Sequence, residues 1–257
     1  MARNHQIAAQ TICDPSKDRN GDAFVSTTSA DGKLLIAVIA DGVGSRPCDW
    51  LASKTACGFL AEKTQTVGVS SADAGLMLKE WLRELDLEIY CTTGRGRGMM
   101  CAATVLLWLH DTNQTWFASI GDTRLYRFSG AVLMQVSEDD SQAIVRRGSG
   151  GKPLFIGGAA VVQRGITNAL GTGHATINVT PITFEEGSVL ILCTDGFYDC
   201  TASFEADLSK VALAPDLTEA AETLALNYTG RNRDDATILI LRRETSAPHI
   251  SAGLPFS

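Results

Sequence analysis

LLIAVIADGVGS, residues Leu34–Ser45, is the stretch on which the fold of this chain turns. Six apolar residues run unbroken from Leu34 to Ile39. A run this short and this apolar is a strand buried on both faces. It ends at Ala40, and Asp41, Gly42 and Gly44 follow at once. A carboxylate at the mouth of a buried strand is costly unless a positive charge meets it. Two readings of the Asp-Gly step stand side by side. It is an ordinary turn, because Asp and Gly dominate turns. Or it is a seat for a hard cation, because the backbone bends sharply and sets a free carbonyl beside the carboxylate.

The pattern recurs. VLILCTDG at 189–196 is again an apolar strand running into Asp-Gly, and WFASIGDTR at 116–124 ends a strand at Asp122. NRDDATILIL at 232–241 sets Asp234 and Asp235 just before a buried strand, and Asp22 precedes the strand that starts at Phe24. Asp22, Asp41, Asp122, Asp195 and either Asp234 or Asp235 therefore fall along one edge of a β-sandwich. Like charges gathered this way repel and titrate abnormally unless cations bind among them. Oxygen ligands with no His or Cys at useful spacing point to Mg²⁺ or Mn²⁺ and away from zinc.

Composition sets outer limits. The 257 residues are 45% hydrophobic and 20% charged, which fits a globular chain with a sizeable core. A formal net charge of -7 argues against nucleic acid or an anionic membrane as the main partner. Seven cysteines at irregular spacing, with no Cys-x-x-Cys pair, read as reduced thiols. The start MARNHQ leads into no signal-type apolar core, and no apolar run is long enough to span a bilayer. Cytoplasmic residence is the expectation.

In chain order, 5–12 and 23–29 read as strands around the polar loop KDRNGD at 17–22. A helix follows Pro47, with Leu51, Thr55, Phe59 and Leu60 at helical spacing. A second runs from Ser71 to Tyr90, its Met77, Leu78, Trp81, Leu82, Leu85 and Ile89 forming a core stripe. TTGRGRG at 92–98 is a loop whose two arginines either meet an anion or stand solvated. Strands at 102–109, 115–120, 123–128 and 131–136 are separated by tight turns and imply antiparallel sheets. SEDD at 137–140 reads as the cap of a short helix to about Arg147. The Gly-rich stretch 148–165 is a surface flap. Strands resume at 175–182 and 188–194, a helix covers 217–228, a last strand lies at 236–242, and the polar tail 245–257 frays.

Taken in order, these pieces resemble the metal-dependent protein serine/threonine phosphatases of the type 2C family, bacterial members above all. That family's motifs run R-x-x-N-[EQ]-D, A-D-G-M-G, G-D-S-R, L-T-x-D-H-S, R-A-L-G, S-D-G and D-N-x-T. Here stand KDRNGD (17–22), ADGVG (40–44), GDTR (121–124), VSEDDS (136–141), NALG (168–171), TDG (194–196) and DDAT (234–237). The resemblance implies an α+β fold, a four-layer α-β-β-α sandwich of two antiparallel sheets flanked by helices, with residues 1–244 as the catalytic domain. It implies two Mg²⁺ or Mn²⁺ ions in the core site and a third, weaker one. Asp41 matches the carboxylate bridging two ions, the Gly42 carbonyl a ligand of one, and Asp195 and Asp234 the remaining carboxylates. Asp122 matches the weaker site and Asp22 the first-motif aspartate. Asp41 and Asp195 are the expected catalytic positions, and Lys17 or Arg19 the expected phosphate-binding ones.

The departures are specific. Lys17 replaces an Arg and lacks its bidentate fork. Gly21 stands where the motif has Glu or Gln, Asp235 where it has Asn, and Val43 where bacterial members have Met and animal members a His. None of His5, His110, His174 and His249 falls at a matching place. The implied activity is hydrolysis of phosphoserine or phosphothreonine on proteins, countering a Ser/Thr kinase. The competing expectation, motivated by Lys17, Gly21 and Asp235, is a catalytically weak member that binds phosphoproteins or a kinase. Cys193 opens no Cys-x5-Arg loop, so a cysteine-phosphatase mechanism is not implied.

Overall fold

A computed structural model describes residues 5–66, 73–147, 151–156, 159–160 and 162–245. The strand at its centre, β3 (Leu34–Gly42), shows why the apolar run is unbroken. Leu34, Ile36, Val38 and Ala40 pack under helices α1 (Asp49–Thr66) and α2 (Ala74–Tyr90). Leu35, Ala37 and Ile39 face the other way, into the interior between two sheets. Successive side chains alternate faces, and both faces are buried, so neither tolerates a polar residue.

The first sheet has strand order β12-β5-β4-β3-β2. It comprises β2 (Asp22–Thr28), β3, β4 (Cys101–Leu109), β5 (Gln114–Ile120) and the two-residue β12 (Thr180–Pro181). The second has order β1-β14-β13-β6-β7. It comprises β1 (His5–Ile12), β6 (Arg124–Ser129), β7 (Val132–Gln135), β13 (Val189–Cys193) and β14 (Ala236–Arg243). Every ladder is antiparallel. Leu190, Leu192, Leu239 and Leu241 meet Leu35 and Ile39 between the sheets. Ile191, Cys193, Ile238 and Ile240 face outward, against α3 (Asp195–Tyr198), α4 (Phe204–Leu213) and α5 (Leu217–Tyr228). The result is the expected four-layer α-β-β-α sandwich.

Several local expectations are corrected. Asp41 and Gly42 are the last rungs of β3, opposite Ala102 and Cys101, and not a turn. Residues 141–145 form a strand, β8 (Ser141–Val145), and not a helix. The acidic run before it is engaged elsewhere: Asp139 holds Arg124, and Asp140 accepts from the Gly121 N–H and the Asn168 amide. β8 pairs with β11 (Val162–Ile166), so the end of the expected flap is regular, with β9 (Phe155–Ile156) and β10 (Ala159–Ala160) paired inside it. Residues 148–150, 157–158 and 161 of that stretch lie outside the described residues, as do 246–257 of the tail and 71–72 of the second helix. Only 180–181 of the expected strand 175–182 pairs. α1 buries Ala52, Ala56 and Cys57, a face of small residues beside the one expected. α4 went unforeseen, although Phe204, Leu208, Val211 and Ala212 give it a helical stripe.

Candidate active site

The ends of the central strands bring the aspartates together. Asp22 and Asp41 are direct partners in the β2–β3 ladder. Asp195 opens α3 at the end of β13, Asp122 precedes β6, and Asp234 and Asp235 precede β14. Asp22 and Asp122 are buried, and Asp41 and Asp195 are half-buried. Asp41, Asp122, Asp195 and Asp234 line one open cleft of about 530 Å³ together with Gly42, Arg46, Arg164, Asn168 and Thr172.

The electrostatics are those of crowded acids. Burial, then repulsion from Asp22, Asp195, Asp234 and Asp122, holds the Asp41 carboxyl well above the usual carboxylate range. Burial pushes Asp195 up to about 7, with Asp122 and Asp234 adding to it. Asp22 is also pushed up to about 7 by burial, although the Thr194 hydroxyl donates to it at 2.8 Å. Asp122 rises by burial. Asp22 Oδ1 and Asp195 Oδ1 are buried with no hydrogen-bond partner among the described residues. A native protein seldom leaves two such acceptors unsatisfied without an ion or water to serve them. Among the described residues no three His, Cys, Asp or Glu side chains converge to cage an ion. This donor set suits Mg²⁺ or Mn²⁺, since Mg²⁺ keeps several waters and takes only one or two carboxylates from the protein.

Neither expected phosphate-binding residue lines that cleft. The Lys17 ammonium is engaged by Asp234 Oδ1 at 2.6 Å and Asp235 Oδ2 at 2.9 Å. Asp235, 2% exposed, also accepts from the Asp14 N–H at 2.8 Å and the Gly21 N–H at 2.7 Å. It is thus a buried anchor for the 14–21 loop, its charge answered on every side. The Arg19 guanidinium stacks 4.9 Å from the Trp50 ring centroid and lines a second hollow together with Asn20, Asp22 and Lys54. The cations of the acidic cleft are Arg46 and Arg164, which sequence reasoning passed over. Arg46, five residues beyond Asp41, was open to it; Arg164 was not, because the β8–β11 pairing that delivers it is non-local.

A second layer fixes these elements. The Tyr198 hydroxyl donates to the Asp122 carbonyl at 2.7 Å and accepts from Arg164 at 3.0 Å. Arg124 lies 3.5 Å over the Tyr198 ring and grips Asp139 with two nitrogens. Asp199 returns its N–H to the Asp195 carbonyl and its carboxylate to Arg164. The Thr237 N–H goes to the Thr194 hydroxyl, and the Thr237 hydroxyl meets that of Thr11. On the far wall Asp86 of α2, buried and free of any cation partner among the described residues, accepts the N–H groups of Gly171, Thr172, Gly173 and Ala175. It pins the loop that carries Asn168 and Thr172 into the cleft.

Comparison with known proteins places this geometry. The family model for protein phosphatase 2C matches residues 11–232. The serine/threonine phosphatase stp of Listeria innocua is 25% identical over 225 residues, covering 82% of this chain and 85% of that protein. A crystal structure of a bacterial serine phosphatase superposes with a TM-score of 0.77 at 15% identity, over 94% of this chain and 99% of that one. The Mycobacterium tuberculosis serine/threonine phosphatase PstP/Ppp superposes with a TM-score of 0.71 at 21% identity, over 94% and 99%. No helix among the described residues is long and apolar enough to cross a membrane.

Proposed function

We propose, from the premise that this chain belongs to the protein phosphatase 2C family, that it is a protein serine/threonine phosphatase hydrolysing phosphoserine and phosphothreonine with the help of divalent cations. The observation that carries the proposal is the edge itself. Strand ends deliver Asp41, Asp122 and Asp195 to one cleft, Asp22 pairs with Asp41 across the ladder, and buried oxygens of Asp22 and Asp195 lack a partner among the described residues. Asp41 would be shared by two ions, with the Gly42 carbonyl, Asp195 and Asp234 completing the donors and Asp122 serving a third. Mg²⁺ or Mn²⁺ so held supplies Lewis acidity and lowers the pKa of water to near neutrality.

The chain's own residues do the rest. Arg46 and Arg164 line the cleft, so the phosphoryl oxygens are assigned to them ahead of Lys17 and Arg19. Asp22, the ladder partner of Asp41 and held by the Thr194 hydroxyl, fixes the strand pair and would help to hold an ion there. Lys17 moderates the field at Asp234. The substrate is a phosphorylated protein, the counterpart enzyme a Ser/Thr kinase, and the location the cytoplasm.

Phosphate release from a phosphothreonine peptide in Mn²⁺ tests this. Wild type is expected to turn over and to stop in EDTA, while Asp41→Asn and Asp195→Asn each lose at least about 100-fold. An inactive wild type, or variants equal to it, overturns the proposal. One observation favours a second reading, binding of phosphoproteins or a kinase without turnover: Lys17 sits directly on Asp234. Wild type that takes up Mn²⁺ and phosphopeptide yet releases no phosphate would establish it.

A further inference from the structure

Gly21 leaves a gap at the acidic edge, and the structure shows what fills it. A Cβ placed on Gly21 would lie 3.1 Å from Asp235 Oδ2 and 3.3 Å from Asp49 Oδ2. Two carboxylates therefore converge where a residue-21 side chain would begin. They are not equivalent. Asp235 is saturated by Lys17, the Asp14 N–H and the Gly21 N–H. Asp49 accepts only the Trp50 N–H, at Oδ1, and its Oδ2 has no protein donor among the described residues.

The approach of Asp49 is built into the backbone. It begins α1, and a Cβ on Gly42 would stand 2.3 Å from its carbonyl oxygen and 2.8 Å from its Cβ. Only glycine at 42 lets the helix start this close to the end of β3. Gly42 in turn receives the Gly21 carbonyl on its N–H, at 3.1 Å, which locks the two glycines together under Asp49. Beside them sits Asp22, 5% exposed, with its unpartnered Oδ1. The free Asp49 oxygen and the orphaned, buried Asp22 Oδ1 thus flank Gly21, and the buried one calls for a cation or ordered water.

We propose that Asp49 supplies the carboxylate that the first motif lacks at Gly21, so that the acid has moved from the loop before β2 to the first turn of α1. Resting on the metal-phosphatase reading, this makes Asp49 a positioning residue for the ion beside Gly42. With an ion there, the free Asp49 oxygen would stand on the side that a residue-21 Glu or Gln would occupy and would accept from the ion's waters. Tightly packed outer ligands of this kind typically set metal affinity by 10–100-fold.

Calorimetric titration of the full chain with Mn²⁺ tests it, with melting in EDTA as the control for folding. Asp49→Asn is expected to melt within a few degrees of wild type in EDTA and to bind Mn²⁺ about 10-fold more weakly at one site. The swap Gly21→Glu/Asp49→Gly is expected to restore the affinity. Gly21→Glu alone, crowding Asp49, is expected not to improve on wild type. Unchanged Mn²⁺ binding in Asp49→Asn, alongside lost binding in Asp41→Asn, overturns the role of Asp49 and leaves the phosphatase reading standing. A wild type without Mn²⁺ binding overturns both. Should Asp49→Asn unfold, the swap decides: restored folding without restored affinity also overturns the proposal.

Discussion

At the scale of single residues, the site is a set of acids held against their own repulsion. Asp22 and Asp195 titrate near 7 in the folded chain and near the ordinary 3.8 when unfolded. Between those values the folded state binds more protons, so stability falls as pH rises from about 4 to 7. Stripped with EDTA, the protein is expected to melt higher at pH 5.5 than at pH 8. Asp195→Asn should flatten that slope and melt about 2–4 °C above wild type at pH 8, the shift that roughly 1 kcal/mol produces in a chain of this size. Thermal melts across pH settle it, and a wild type more stable at pH 8 would contradict it. Asp22, Asp41, Asp122, Asp195 and Asp234 could be found in the sequence, because each adjoins an apolar run, whereas Asp49 and Asp86 could not. What each one touches could not. Lys17 and Asp235 are 218 positions apart, and their ion pair follows only once β1 lies beside β14.

At the scale of elements, legibility followed periodicity. β3 was plain because its apolar run is short and unbroken, and α2 because its apolar spacing keeps one helical period. The SEDD run misled because its carboxylates satisfy distant donors, Arg124, Gly121 and Asn168, in place of a helix start. α2 has a duty beyond its stripe. Asp86 lies on its buried side and ties four backbone N–H groups of 171–175, the wall of the cleft. Asp86→Ala strands those donors and is expected to cost about 3 kcal/mol, since a hydrogen bond to a charged acceptor contributes about 1.5–3 kcal/mol. Asp86→Asn, which keeps one acceptor oxygen, should lose less. Urea unfolding of the two variants measures both, and equal losses would refute the anchor.

At the scale of the whole molecule, the two sheets bury their shared face whether or not a cation is present, so the ion tightens a fold that already exists. Mn²⁺ at 100 times its dissociation constant is expected to add about 2.7 kcal/mol to unfolding, and EDTA to remove it. Differential scanning calorimetry reads the shift, and Asp41→Asn should abolish it. The layer architecture was within reach of the sequence, since short antiparallel strands alternate with two-faced apolar runs. The order of strands was not, because it joins the start of the chain to its far end. β1 pairs with β14 along its full length, His5 opposite Arg243 and Ile12 opposite Ala236. Residues 236–243 must therefore be made before β1 has its ladder partner, and residue 234 before the acidic edge has its last carboxylate. A chain cut short before β14 is therefore expected to lack both that ladder and the full acidic edge.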